Sequence, residues 1–117
     1  MKKDIKNNLL LDEFPILQDY YLEIKGGVFD LDTPAYNFYK EVFTSYLISC
    51  IKADKKDEIK HCFSFVERLL ESDDELDNDL AMKAILTPLY EDYQIDLSKY
   101  ELGEKSLAYY KTWLLNA

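Results

Sequence analysis

The chain has 117 residues, a net charge of −9, 48% apolar residues, and only three glycines and three prolines. That is one domain's worth of sequence, able to build a core and too apolar to stay disordered. Its few breakers point to helices joined by short connections. The sign of the charge disfavours direct binding of a phosphate backbone, and no apolar run approaches the length of a membrane span.

In chain order, residues 2–12 read as a short helix with Ile5, Leu9 and Leu10 on one side. Pro15 suits the first turn of a second helix over 15–25. That helix offers Ile16, Leu17, Tyr20, Tyr21 and Ile24, and Gly26-Gly27 stops it. Residues 28–32 alternate, and read as a loop with two apolar anchors or, as the alternative, a short extended segment. Thr33-Pro34 marks the next start, with a cap residue and then proline at the first helical position. A wide apolar band follows: Phe38, Tyr39, Val42, Phe43, Tyr46, Leu47, Cys50 and Ile51. This predicts the most buried helix.

After a polar turn at 53–57, with Asp54 or Asp57 as the next cap, comes the stretch around which the chain is organised. Ile59, Cys62, Phe63, Val66, Leu69 and Leu70 form one stripe at helical period. Ser72 followed by Glu75 has capping-box spacing, and a helix from about 74 to 87 carries Leu76, Leu80, Ala81, Ile85 and Leu86 inward. Pro88 is expected to end or bend that helix near Thr87. Residues 88–100 read as loop or irregular helix, and a last helix over about 103–115 turns Leu107, Tyr110, Trp113 and Leu114 inward. The expected fold is all-α, a single domain over 1–117 of five or six helices, as a bundle or stacked helical hairpins.

The excess charge has an address. Residues 67–104 hold twelve acids and three bases, a difference of −9, while the remainder balances at eleven of each. A basic partner would be drawn to that half. Within it the candidate partner-binding residues are Glu71, Asp73, Asp74, Glu75, Asp77 and Asp79 on one stretch and Tyr90, Glu91, Asp92 and Tyr93 on another. Acids would steer the encounter and tyrosines would supply anchor area. The plainer alternatives are a solvated face that maintains solubility and tyrosines packed under a loop.

No chemistry-bearing motif competes. The chain has one histidine and no CxxC, so His61 beside Cys62 reads as a surface histidine next to a core cysteine rather than half a zinc site. Asp73, Glu75, Asp77 and Asp79 alternate like calcium ligands, but Asn78 replaces the turn glycine and Ala84 the twelfth-position glutamate. No metal, cofactor or catalytic residue is expected. Cys50 and Cys62 fall at apolar helical positions, as free cysteines do; a disulfide between them stays open, though nothing suggests a secreted scaffold. With no signal-peptide core, a chain starting near Met1 and a cytoplasmic location are expected.

Three stretches carry a resemblance: Leu11-Asp-Glu-Phe-Pro15, Phe65-Val-Glu-Arg-Leu-Leu-Glu-Ser-Asp-Asp-Glu-Leu76, and Leu102-Gly-Glu-Lys-Ser-Leu-Ala-Tyr-Tyr110. In that order they resemble small all-α bacterial proteins, several of them immunity proteins of polymorphic toxin and contact-dependent growth inhibition systems. The resemblance implies a non-enzymatic protein that binds and neutralises a toxin domain, often a basic nuclease, by occlusion. A helical adaptor with a non-toxin partner is the alternative.

Overall fold

A computed structural model describes residues 5–19 and 34–115. Helix α1 is Ile5–Glu13, followed by a turn at Pro15 and helical residues at 17–19. Helix α2 runs through Ala35–Phe38, a π-helical segment Tyr39–Thr44 and Ser45–Lys52. Helix α3 is Lys56–Glu71. Helix α4 joins Glu75–Asp79, a π segment Leu80–Leu86 and Thr87–Glu91. A single 3-10 turn, Leu97–Lys99, leads to α5, Glu104–Tyr109 continued by the π segment Tyr110–Leu114. Among the described residues there is no strand. The all-α expectation holds. The side chain of Ile5, the residues Tyr20, Tyr21 and Ile24, the Gly26-Gly27 stop, the 28–32 segment and Thr33 lie outside the described residues.

One core collects the apolar stripes. The α2 band is buried as expected, with Phe38, Tyr39, Val42, Phe43 and Leu47 fully enclosed and Ile51 half-buried. The α3 stripe is buried through Leu69, and Phe65, off the predicted stripe, joins it. Phe65 packs with Phe14 and Phe43 at ring-centroid distances of 5.4 and 5.6 Å. In α4, Leu80, Ala81, Ala84, Ile85, Leu86 and Leu89 are all buried, and the helix packs on both α2 and α3.

Several local expectations are corrected. In α1, Asn7, Leu10 and Leu11 are buried while Leu9 is exposed. Ile16 is exposed and Leu17 buried. Pro34 is the cap position itself, one residue later than expected, and Ala35 is the first helical residue.

Asp54 does not cap α3. It adopts φ 55° and closes α2, with the Asp54 amide donating to the Ile51 carbonyl and the Lys55 amide to the Cys50 carbonyl. That is a Schellman motif in which an aspartate occupies the usual glycine position. Helix α3 then starts at Lys56, and Lys55 at the cap position makes no side-chain cap hydrogen bond.

Pro88 does not stop α4, which continues to Glu91. At α-helical spacing the Ala84 carbonyl would need the amide of residue 88, which proline lacks. The buried Thr44 hydroxyl donates to that carbonyl instead, at 2.8 Å, where the π segments of α2 and α4 pack together. Residues 88–100 are therefore helix, then loop, then a 3-10 turn.

Candidate functional site

The α3–α4 turn is built from side chains that close each other's backbone groups. Helix α4 begins with Asp74 as its cap, the carboxylate accepting from the Leu76 amide at 2.9 Å. The Ser72–Glu75 capping box does not form. Ser72 Oγ instead accepts from the Asp74 amide at 3.1 Å and donates to Asp77 Oδ2 at 2.6 Å. Asn78 reaches back, donating to the carbonyls of Leu69 and Ser72 at 2.8 and 3.1 Å and, longer, to that of Leu70. The last carbonyls of α3, orphaned by the helix end, are thus satisfied from α4. From α1, Lys6 Nζ pairs with Asp77 at 2.6 Å and Asp74 at 2.9 Å. Those two carboxylates hold the Lys6 ammonium above its usual range, Asp77 first. Lys6, and then the Leu76 amide, hold the Asp74 carboxyl below its own.

This geometry divides the twelve acids of 67–104 into two groups. Five serve the fold. Asp77 is buried between Lys6 and Ser72, so it leaves the candidate face. Asp74 caps α4, and Asp79 lies 3.8 Å from Lys83 one turn on. Asp96 caps the 3-10 turn through the Ser98 hydroxyl and amide. Glu67 crosses to α5, its carboxylate accepting from the Lys105 and Ser106 amides, both at 2.9 Å, and from the Ser106 hydroxyl at 2.8 Å. Burial pushes the Glu67 carboxyl up, but those three donors outweigh it and leave it lowered. The other seven acids, Glu71, Asp73, Glu75, Glu91, Asp92, Glu101 and Glu104, are exposed. None of them forms an ion pair among the described residues.

The predicted face is also split in space. Glu71, Asp73 and Glu75 surround the start of α4, whereas Glu91, Asp92 and Tyr93 follow its end. At 1.5 Å per residue, its 17 residues put about 25 Å between these groups. The tyrosine group divides too. Tyr90 packs edge-on against Tyr110 at 5.7 Å and Tyr100 against Phe63 at 5.5 Å, so both are packing residues. Tyr93 alone of the three is exposed.

Three exposed apolar side chains were expected inside: Leu76, 47% exposed in the first turn of α4, and Leu107 and Trp113 on α5, with Trp113 at 65%. Tyr110 and Leu114 are buried as expected. The π segment that begins at Tyr110 widens the turn, so that Leu114 follows Tyr110 inward and Trp113 is carried outward. No sequence signal marks that widening.

His61 is on the surface beside fully buried Cys62. Its imidazole meets Glu13 at 2.6 Å, and Arg68 donates to the same carboxylate oxygen at 2.6 Å. Arg68, and secondarily His61, hold the Glu13 carboxyl below its usual range. Both cysteines are free and buried, and burial pushes the Cys62 thiol well above its ordinary value, the reverse of what a nucleophilic thiolate needs. Among the described residues no group of three or more metal-ligating side chains converges. None of their helices is long and apolar enough to cross a membrane.

A family model described as a domain of unknown function (DUF7674) matches residues 7–115. No curated protein and no solved structure matches the chain.

Proposed function

The chain belongs to the DUF7674 family, and we propose that this member is a non-enzymatic binding protein whose partner is a basic protein domain, met at the α3–α4 turn. The observation that carries the reading is the division of the acids. The turn spends Asp74 and Asp77 on its own rigidity and leaves Glu71, Asp73 and Glu75 exposed around it, with exposed Leu76 among them. Fixed charge on a rigid tip steers an oppositely charged surface without first having to be ordered.

The resemblance to immunity proteins narrows the partner to a toxin domain, neutralised by occlusion of its active surface in the cytoplasm. A basic nuclease has the surface such a tip would cover. The test is co-production with any toxin domain found encoded beside the gene. Growth protected by the parent, together with recovery of a stoichiometric complex, supports the reading. Unprotected growth and no complex contradict it.

A further inference from the structure

The far end of α4 builds a cavity of a different character from the acidic turn. It holds about 580 Å³ between the close of α4, the loop that follows and the end of α5. Its apolar walls are Tyr90, Tyr110, Ile95 and Leu115. Tyr90 and Tyr110 meet at 5.7 Å between ring centroids, with their planes 72° apart. The loop wall is pinned to the helix end. The Asp92 and Tyr93 amides donate to the Pro88 carbonyl at 2.9 and 3.1 Å, and the Ile95 amide donates to the Leu89 carbonyl at 2.9 Å. Both charged side chains that line the cavity are acids, Glu91 and Asp96. Glu91 is exposed, and Asp96 uses Oδ1 to hold Ser98. The Ser98 hydroxyl and amide, then Lys99 and the Tyr110 hydroxyl, keep the Asp96 carboxyl below its usual range, so it is anionic at neutral pH. Lys99 itself lines a different cleft, against α3.

We propose that this cavity binds a small organic cation, an ammonium group carried on an apolar body. The sign of the charge follows from the lining, which holds two carboxylates and no cationic side chain. Tyrosine rings attract such a cation as well, more strongly where water is excluded, and Ile95 and Leu115 receive the body. The occupant is organic rather than a metal ion, since no group of three or more metal-ligating side chains converges among the described residues. The volume falls within the range of small-molecule sites, about 300–1,000 Å³, and exceeds what one lysine or arginine side chain of a partner would fill. The site stands at the opposite end of α4 from the proposed protein contact and does not depend on it.

The probes share one body and differ in charge: phenylpropylammonium, phenylpropanol and phenylpropionate. Each is titrated into the isotope-labelled full chain at low salt, with backbone amide shifts as the readout. The ammonium should shift amides of residues 90–96 and 110–115 saturably. It should bind on the order of tenfold more tightly than the alcohol, and the carboxylate should not bind. Glu91→Gln should weaken the ammonium several-fold, whereas Asp92→Asn, an equal loss of charge outside the lining, should weaken it less. Equal binding of ammonium and alcohol overturns the proposal in favour of an apolar cavity without charge selection. Equal losses in the two variants also overturn it, because the net charge of the whole protein would then be the attraction. Shifts confined to other residues, or none, remove the cavity as a site. If a blocked peptide with one arginine moves the same amides and the ammonium probe does not, the small-ligand assignment falls and the cavity takes a partner side chain instead.

Discussion

The Thr44 hydroxyl donates a 2.8 Å hydrogen bond to the Ala84 carbonyl, the acceptor that Pro88 would otherwise leave without its α-helical donor. Two helices about forty residues apart in sequence are joined at the point where proline should have broken one of them. Thr44→Val keeps the side-chain shape and removes the donor, so it should destabilise the protein by about 1 kcal/mol, the usual net worth of one hydrogen bond. Pro88→Ala supplies the missing amide. In a double-mutant cycle read by denaturant unfolding, Thr44→Val should cost clearly less in the Pro88→Ala background. Equal costs in both backgrounds would show that the two sites are independent.

Glu67 and Gly103 form a second coupled pair. A Cβ on Gly103 would lie 2.3–2.4 Å from the Glu67 side chain, the same side chain whose carboxylate caps α5. Glu67→Ala should cost about 1–2 kcal/mol, as cap losses do. Gly103→Ala should also destabilise, by displacing the cap, and the double variant should cost less than the sum of the two. Strict additivity would mean that the cap survives the added methyl.

The same carboxylate gives a pH signature. Glu67 and Glu13 are both lowered in the folded protein. Their contribution is present above the unfolded value of about 4.5 and is lost as pH falls through the folded values. Thermal midpoints should therefore drop below about pH 4.5, and Glu67→Gln should flatten that drop while starting from a lower plateau. An unflattened profile would assign the acid sensitivity to other groups.

The helix ends carry correctable strain. Asp54 and Gln94 both sit at φ 55°, where an L side chain costs about 1–2 kcal/mol and glycine gives back about 0.5–1 kcal/mol of that through its freer unfolded chain. Gln94→Gly should stabilise the protein by about 0.5–1 kcal/mol. Asp54→Gly should stabilise it by less, because aspartate tolerates this region better.

The apolar period places the α2 and α3 stripes and the buried Leu80, Ala81, Ile85 and Leu86, since burial follows the side of a helix on which a residue lies, and the polar run Ser72–Glu75 places the turn between α3 and α4. What it missed depends on contacts far away in sequence. Asp77 and Asp79 look alike on paper, and only Lys6, seventy-one positions upstream of Asp77, makes the first a buried group. Glu67 could not be separated from Glu71 without α5 beside it. The local rule ends α4 at Pro88, yet the helix runs through it to Glu91, with Thr44 bonded to the carbonyl that residue 88 would serve at α-helical spacing. The α-helical period places Trp113 inward, and the π turn does not keep that period. The candidate face was therefore legible as a stretch of sequence but not as a surface, because its residues sit at both ends of α4.

That separation makes the central claim testable by subtraction of equal charge. Asp73→Asn with Glu75→Gln and Glu91→Gln with Asp92→Asn each remove two exposed carboxylates, and each should change stability by no more than about 0.5 kcal/mol. Asp77→Asn, by contrast, should destabilise the turn. The deciding measurement is the association rate, across a salt series, with a basic toxin domain that co-production identifies as the partner. The account predicts a rate that falls as salt rises, a several-fold slowing by the α3–α4 pair at low salt with little change in dissociation, and a weaker effect of the Glu91–Asp92 pair. A rate independent of salt and unchanged by the α3–α4 pair would contradict it.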